Sequence, residues 1–330
     1  GDLKTIRDLY PRVKKYLGIW QKNSDGTIKF RAGEWTWGDW GDNIDIKVLF
    51  NAWYYIALKG QRNMATALDM KAEAEAIDQE MQALKKAFNT VFWNGKAYRH
   101  PEYKLKTDDR VQALAIVSGL ADEKKYPALL TVLKQNEHAS PYMEKYVIEA
   151  LFMMGENYYG MERMKRRFAE MVNDPERTTL YEGWGIGPNG FPGGTTNHAW
   201  SGGGLTILSQ YVCGVAPTEV GYKAYRIAPQ PTGLKEAETL VPTVKGNIKV
   251  SFKDDEKNFQ FQVSSPQGAQ ATICLPSPCK AVTLNGKLVW QKGKKLLSGD
   301  SIVESIHQEK NKTLSITMKN GGDWIFNAKK

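Results

Sequence analysis

The sequence predicts two structural parts: an array of helical hairpins of the α/α toroid type, followed by an antiparallel β-sandwich. Apolar residues recur at steps of three and four through residues 3–211, which is the spacing of amphipathic helices. From residue 214 onward the chain changes to short strand-like segments bounded by Pro and Gly turns. With 330 residues, 42% of them hydrophobic, there is room for two ordinary domains. We therefore expect a helical domain over residues 1–213 and a β-domain over residues 214–330.

About eight helices are predicted in the first part, joined by short turns and two long loops. Their segments are 3–21, 48–56, 70–88, 108–119, 123–136, 141–155, 161–173 and 205–211. Consecutive helices of this length pair as antiparallel hairpins. Functional residues are therefore expected in the loops at one end of the array.

Six short strands are predicted in the second part, at 247–253, 258–264, 271–275, 282–284, 302–305 and 313–318. The clearest turn between strands is Asn285-Gly286, a pair that suits the type I′ turn of a β-hairpin. Several strands at this spacing indicate an antiparallel sandwich.

The net charge and the composition indicate which kinds of binding partner to expect. The formal net charge is +9, and residues 213–330 carry most of the excess, with 17 Lys and Arg against 10 Asp and Glu. Single lysines along strands protect sheet edges from pairing, whereas nucleic-acid binding favours clustered Arg within a recognisable motif. We therefore expect no nucleic-acid partner, with attraction to acidic glycans as a minor alternative. No segment approaches the roughly 20 apolar residues of a membrane helix, so no membrane association is expected.

No cofactor or metal is predicted, because the sequence has no Walker loop, no dinucleotide fingerprint and no zinc-type Cys/His spacing. The three cysteines leave the compartment undecided. A disulfide between Cys274 and Cys279 is left open.

The stretch 178–204 concentrates Gly, aromatic and polar residues more than any other. Glu182 stands between Tyr181 and Trp184, and a carboxylate flanked by aromatic faces suits a sugar ring with its apolar patches and hydroxyl rim. Asn197 and His198 follow in the same loop. Long loops within compact domains are usually functional or disordered, and the aromatic content argues against disorder. The plain alternative is a surface connection in which Glu182 is solvated and His198 caps a helix.

A second loop, residues 33–45, combines three tryptophans with four carboxylates. Its tryptophans are Trp35, Trp37 and Trp40, and its carboxylates are Glu34, Asp39, Asp42 and Asp45. We interpret it as a sugar platform with an acid beside it. Asp42 or Asn43 could instead cap the helix that follows.

Together these motifs resemble the bacterial α-L-rhamnosidases. The resemblance rests on the Glu-Gly-Trp of residues 182–184, the Asn-His-Ala-Trp of residues 197–200, and the linker from Gly-Tyr-Lys to Ala-Pro-Gln-Pro over residues 221–231. Gly38-Asp39-Trp40 is similar to a Gly-Asp-Trp element in the active-site rim of that family. The resemblance implies a six-hairpin toroid closed by a small β-domain. Since eight helices are fewer than twelve, we expect only the later part of the toroid here.

The resemblance also implies site residues and a substrate. Glu182 would be the catalytic base of an inverting glycosidase, and the substrate a rhamnose-containing oligosaccharide or glycoside. Export to the periplasm or the medium is implied in the same way. The substrate-binding residues would be Asp39 as a hydroxyl acceptor, His198 and Asn197 at substrate hydroxyls, and Trp37, Trp40 and Trp184 as ring-facing walls.

The sequence departs from the family pattern at the general acid. The family's Asp-Glu-Arg element, with its Trp-x-Gly-Asp sequence, does not occur in this chain. Either the acid lies in a segment that precedes these residues, or a carboxylate of residues 34–45 replaces it, or the chain is not catalytic. The alternatives in function are a non-catalytic carbohydrate-binding module and a toroid glycosidase for another sugar. An incomplete toroid would expose apolar faces, which favours self-association.

Overall fold

The computed structural model describes residues 2–31, 33, 36–185, 194–276, 278–297, 302–309 and 313–330. Two loop residues named above, Glu34 and Trp35, lie outside this described part. The chain forms two compact units, Asp2–Gly203 and Gly204–Lys330. The first is helical and the second is built mainly of β-sheets, which confirms the predicted fold class. The domain boundary predicted between residues 213 and 214 stays a prediction.

Most helices lie close to where the periodicity placed them, but the helix predicted over 48–56 extends to residue 67. Their bounds are α1 (Leu3–Leu17), α2 (Ile46–Ala67), α3 (Lys71–Val91), α4 (Asp109–Ser118), α5 (Tyr126–Gln135), α6 (Pro141–Met153), α7 (Asn157–Val172) and α8 (Gly203–Ile207). The helix predicted over 205–211 is in fact the short α8 and a π-helical turn, Leu208–Val212. Within the described ranges, none of the helices combines the length and the apolar character needed to cross a membrane.

The helical unit has an inner and an outer row of helices. α2 packs against α4, and α4 against α6, while α3, α5 and α7 each pair with the inner helix that precedes them. α4 buries nearly every side chain, from Asp109 to Ile116, because it has helices on several sides. α3 buries a single apolar stripe that includes Ile77, Leu84 and Phe88. This double row is the arrangement of a toroid of hairpins.

The inner helices begin at one end of the row. The backbone N–H of Asp45, which precedes α2, donates to the carboxylate of Asp108, the N-cap of α4, at 2.9 Å. α6 begins beside them, since its N-cap Ser140 bonds to Asp39 in the loop before α2. The loops that enter these three helices therefore meet at a single end of the unit.

The second unit holds two sheets. Its strands are β1 (Val215–Pro217), β2 (Ala224–Ile227), β3 (Glu236–Thr243), β4 (Gly246–Asp254), β5 (Asn258–Ser265), β6 (Gln270–Leu275), β7 (Ala281–Leu284), β8 (Lys287–Gln291), β9 (Lys294–Lys295), β10 (Val303–Gln308), β11 (Leu314–Met318) and β12 (Gly322–Lys329). One sheet has the order β1-β2-β6-β11-β10 and the other β3-β4-β5-β12-β7-β8-β9. The hydroxyl of Tyr225 in the first sheet contacts that of Ser265 in the second at 2.5 Å.

Pairing is antiparallel throughout the described strands except between β2 and β6, which are parallel. The predicted hairpin at Asn285-Gly286 is confirmed. It joins β7 to β8, and both turn residues have positive φ, 48° and 82°, as a type I′ turn requires. Cys213, Cys274 and Cys279 are free thiols, so the disulfide left open by the sequence is not formed.

Candidate active site at the ends of the inner helices

The loop before α2 is held by a buried arginine at the start of α4. The Arg110 guanidinium donates to the Asp39 carboxylate at 3.2 Å, to the carbonyl of Trp40 at 3.3 Å and to that of Asp42 at 2.6 Å. It also donates to Asp108 at 2.7 Å. Arg110 and both carboxylates have no exposed side-chain surface. This single side chain therefore fixes the path of residues 39–42.

Asp39 was predicted to accept a substrate hydroxyl, and the structure places it beneath the surface. One carboxylate oxygen accepts from Arg110 and from the backbone N–H of Ser140, at 3.2 and 2.9 Å. The other accepts from the Ser140 hydroxyl. Burial raises the pKa of the Asp39 carboxyl, against the opposing effect of these donors. Both oxygens are used within the protein, and contact with substrate stays a prediction.

A second buried ion cluster lies between α6 and α7. The Arg163 guanidinium bonds to Glu144 at 2.6 Å and to Asp109 at 3.2 Å. Arg167, one turn further along α7, bonds to Glu144 at 2.7 Å and to the carbonyl of Ala139 at 3.1 Å. Because residue 139 directly precedes the Ser140 that contacts Asp39, the two clusters support the same chain segment.

Trp184 rests on this second cluster. Its indole N–H donates to the carbonyl of Ala139 at 2.7 Å, and the Arg167 guanidinium lies over its ring, 4.3 Å from the centroid. Phe168 contacts the ring edge-on, with 5.0 Å between centroids. One face of Trp184 is therefore occupied by a cation, and its predicted role as a wall for the sugar stays a prediction.

Backbone hydrogen bonds close the two arms of the long loop. The N–H of Glu182 donates to the carbonyl of Thr195, and the N–H of His198 to that of Leu180, both at 2.9 Å. The buried Ser201 hydroxyl donates to the carbonyl of Tyr181 at 2.6 Å. The segments around Glu182 and His198 thus lie side by side, although 16 positions separate the two residues in the sequence.

The Glu182 carboxylate is held at this junction. Its Oε2 atom accepts from the backbone N–H of Thr195 at 3.0 Å and from the Thr195 hydroxyl at 3.3 Å. His198 Nδ1 lies 3.6 Å from the same oxygen. The Thr195 backbone N–H lowers the pKa of Glu182, and His198, the Thr195 hydroxyl and the Trp40 indole lower it further. With 14% of its side chain exposed, Glu182 is an ionised but accessible carboxylate.

Aromatic rings crowd beside this carboxylate. Trp200 stacks on Trp37 with 5.7 Å between centroids and on Tyr142 with 5.2 Å, and Trp40 meets Trp37 edge-on at 5.9 Å. We call these four residues the aromatic cluster. The ring of His198 lies 4.4 Å from that of Trp200, so the cluster adjoins the Glu182 junction.

Trp37 also faces a groove of about 520 Å³ on the helical unit. The groove is lined by further aromatic and polar side chains, which include Trp20, Arg31, Phe50 and Trp53. Trp37 is therefore a wall shared by the aromatic cluster and this groove.

In the structure, the site residues predicted from the sequence fall into three groups. Glu182, His198, Trp40 and Trp37 come together, Asp39 and Trp184 lie in the supporting layer, and Asn197 is exposed. Several contributors are absent from the prediction: Thr195, Trp200, Tyr142, Arg110 and Ser140. Trp200 could have been found, since it stands in the Asn-His-Ala-Trp turn already singled out. The charged run Asp108-Asp109-Arg110 at the start of an apolar helix was a signal of a buried ion pair.

A double row of helical hairpins with an accessible carboxylate and clustered tryptophans at one end defines the class, that of the helical-toroid glycosidases. A family model described as the bacterial alpha-L-rhamnosidase 6 hairpin glycosidase domain matches residues 1–212. A second, described as the bacterial alpha-L-rhamnosidase C-terminal domain, matches residues 214–287. The chain belongs to the bacterial α-L-rhamnosidase family, as its motifs indicated.

Individual relatives are distant in sequence. An α-L-rhamnosidase of Streptomyces avermitilis is 23% identical over a 296-residue alignment that covers 84% of this chain and 28% of the relative. The structure of an α-L-rhamnosidase from Dictyoglumus thermophilum is similar with a TM-score of 0.84, at 20% identity, over 100% of this chain and 38% of that one. The crystal structure of the Streptomyces avermitilis enzyme complexed with L-rhamnose is similar with a TM-score of 0.80, at 18% identity. That match covers 99% of this chain and 31% of the other. At such identities the likeness shows a shared fold, and this chain spans about a third of these relatives.

Proposed function

We propose that this chain carries the general-base half of an α-L-rhamnosidase active site, with Glu182 as the base. One observation supports this most: the Glu182 carboxylate, its pKa lowered by Thr195, lies accessible beside His198 and the aromatic cluster. The substrate class is proposed from family membership and from a relative complexed with L-rhamnose.

Hydrolysis with inversion requires an acid that protonates the leaving oxygen and a base that activates water on the opposite face of the ring. An ionised Glu182 would take a proton from that water as its oxygen bonds to the anomeric carbon. The bond from that carbon to the leaving oxygen breaks at the same time, and an α-linked rhamnoside yields β-L-rhamnose. We assign no acid. Of the loop carboxylates that could replace it, Asp39 is used by Arg110 and Ser140, and Asp45 accepts from the backbone N–H of His100.

The aromatic cluster and His198 would bind the sugar. Aromatic faces cover the apolar CH patches of a sugar ring, and imidazole nitrogens exchange hydrogen bonds with its hydroxyls. We propose Trp40 and Trp37 as ring contacts and His198 as the hydroxyl contact. Asp39 and Trp184 would act through the positions of the loops that they support.

The test is hydrolysis of p-nitrophenyl α-L-rhamnoside. Nitrophenolate leaves without protonation, so the assay depends on the base and little on the acid. Glu182→Gln should lower kcat by about 10² to 10⁴, the usual contribution of a general base, while L-rhamnose binding stays within a few-fold. Glu176→Gln is the matched control, since that side chain is 78% exposed and should leave kcat unchanged. The first product should be the β-anomer by proton NMR.

Other outcomes would decide between the alternatives. Hydrolysis that persists in Glu182→Gln contradicts the assignment of the base. Rhamnose binding without turnover in the parent chain, lost on substitution of Trp40 but not of Glu182, would indicate a carbohydrate-binding module. Turnover of a different aryl glycoside, again abolished by Glu182→Gln, would keep the base and change the sugar.

A further inference from the structure

Thr195 contacts two of the proposed site residues through one hydroxyl group. Its Oγ1 atom lies 3.3 Å from Oε2 of Glu182 and 2.7 Å from Nδ1 of His198. The same Glu182 oxygen lies 3.6 Å from that Nδ1. A threonine hydroxyl has a single proton to donate. The three contacts therefore restrict where the protons can be.

Two arrangements of protons are open to a neutral His198. In the first, Nδ1 carries the proton and donates it to Oγ1, and Oγ1 donates to the carboxylate. In the second, Nδ1 is bare, meaning unprotonated, and accepts the hydrogen bond that Oγ1 donates. The second arrangement leaves two oxygens 3.3 Å apart with no proton between them, and it places an unprotonated Nδ1 only 3.6 Å from an anion. In the first arrangement all three contacts are attractive.

The carboxylate cannot relieve the second arrangement by taking up a proton. The hydrogen bond from the Thr195 backbone N–H, together with the other neighbours of Glu182, lowers its pKa, so Glu182 is an acceptor only. The tautomer of a histidine is set by the hydrogen bonds that its two nitrogens make.

We infer that Thr195 is a positioning residue that holds His198 in its Nδ1–H tautomer and so leaves Nε2 as a hydrogen-bond acceptor for a substrate hydroxyl. Among the residues that the structure describes, none donates to Nε2, and about a third of the His198 side chain is exposed. The substrate part of this inference rests on the proposed function, whereas the tautomer follows from the three contacts alone. A bare Nε2 accepts from an O–H group and has no proton to offer a carbonyl or an anion.

The experiment is ¹⁵N NMR of the ring nitrogens in this chain labelled at histidine. Spectra would be recorded near pH 9, well above the ordinary imidazole pKa of about 6.5, where rings carry one proton. Protonated and bare ring nitrogens have widely separated chemical shifts, and the missing signals of His198→Gln assign the residue. His100 provides an internal reference of the opposite kind, because its Nδ1 accepts from the backbone N–H of Glu102 at 3.2 Å and its proton must be on Nε2.

The expected result is a protonated Nδ1 and a bare Nε2 for His198. Thr195→Ser keeps the hydroxyl and should preserve this pattern. Thr195→Val removes the hydroxyl at nearly constant shape and leaves Nδ1 only the more distant Glu182 carboxylate at 3.6 Å, so the share of the Nε2–H form should rise. The inference is overturned if parent His198 carries its proton on Nε2, or if Thr195→Val leaves the pattern unchanged. Unaltered His100 signals show that a variant is folded. If Thr195→Val does not fold, the parent spectrum still decides the tautomer.

Titration with L-rhamnose separates this inference from the proposed function. Binding should shift the His198 Nε2 signal, and Thr195→Val should weaken binding by roughly threefold to tenfold, the effect of one hydrogen bond, while Thr195→Ser stays within twofold. Rhamnose that binds without moving the Nε2 signal overturns the acceptor role. Rhamnose that does not bind at all counts against the proposed function and leaves the tautomer assignment standing.

Discussion

Replacing Asp39 by Ala should lower the free energy of unfolding of the helical unit by about 3–5 kcal/mol. The Asp39 side chain has no exposed surface and accepts from Arg110 at 3.2 Å and from the Ser140 N–H at 2.9 Å. Hydrogen bonds to a charged group contribute roughly 1.5–3 kcal/mol each, and a buried donor left without a partner costs about 1–3 kcal/mol. Arg110 keeps Asp108 and two carbonyls as partners, so the sum stays near the 3–5 kcal/mol typical of a broken buried ion pair.

The chain contains a matched control for this prediction. Asp78 pairs with Arg62 at the same 3.2 Å, but each side chain is 41% exposed. An exposed pair contributes about 0–1 kcal/mol, so Asp78→Ala should change stability by less than about 1 kcal/mol. The assay is urea unfolding of both variants, followed by far-ultraviolet circular dichroism, which reports mainly on the helices. Equal losses in the two variants would refute the argument from burial.

Three further substitutions test the layer beneath the site. Gly38→Ala should destabilise the helical unit by about 1–3 kcal/mol, because a Cβ at Gly38 would lie 2.4 Å from a methyl group of Ile46 at the start of α2. The loss of stability can be measured as a lower urea midpoint. Arg167→Met should lower stability by about 2–3 kcal/mol and change the fluorescence of Trp184, since it removes a guanidinium that bonds to a buried carboxylate and covers the indole ring. Hydrogen bonds, first that from the Tyr181 hydroxyl, lower the pKa of Asp174 to about 2. A carboxyl pKa that is lower in the folded state stabilises the fold above the unfolded pKa of about 3.9, and this stabilisation is lost as pH falls toward 2. The urea midpoint of the parent chain should therefore fall between pH 4 and 2. Asp174→Asn should make the urea midpoint depend less on pH over that range.

The first two of these substitutions have a control in the same chain. Gly60→Ala in α2 meets no atom within 4 Å and should stabilise the unit slightly, so a loss equal to that of Gly38→Ala would contradict the steric argument. Arg166→Met removes an arginine that is 51% exposed and should change stability by less than about 1 kcal/mol. An unchanged acid profile in Asp174→Asn would show that other groups dominate between pH 4 and 2.

Local patterns in the sequence determined most of the helical unit. Helix spacing in this unit and the turn at Asn285-Gly286 in the β-unit depend on residues a few positions apart, and the structure follows both. The least predictable strands were those whose place depends on distant partners. β12 lies in the middle of the larger sheet between β5 and β7, and its short alternation Trp324-Ile325-Phe326 is outside the six predicted strands.

The sequence by itself determined the family, because each of the Glu-Gly-Trp and Asn-His-Ala-Trp motifs is a contiguous stretch of sequence. It also determined the two loops of the proposed site, residues 33–45 and 178–204, from their local composition. Only the tertiary structure decided which of their residues are accessible. Asp39 looked like a free acid until Arg110 and Ser140, 71 and 101 positions away, were brought to its two oxygens. Burial and partners are properties of packing between distant segments, and no local pattern encodes them. For the same reason the contact of Thr195 with both Glu182 and His198 became visible only once the arms of the loop lay side by side.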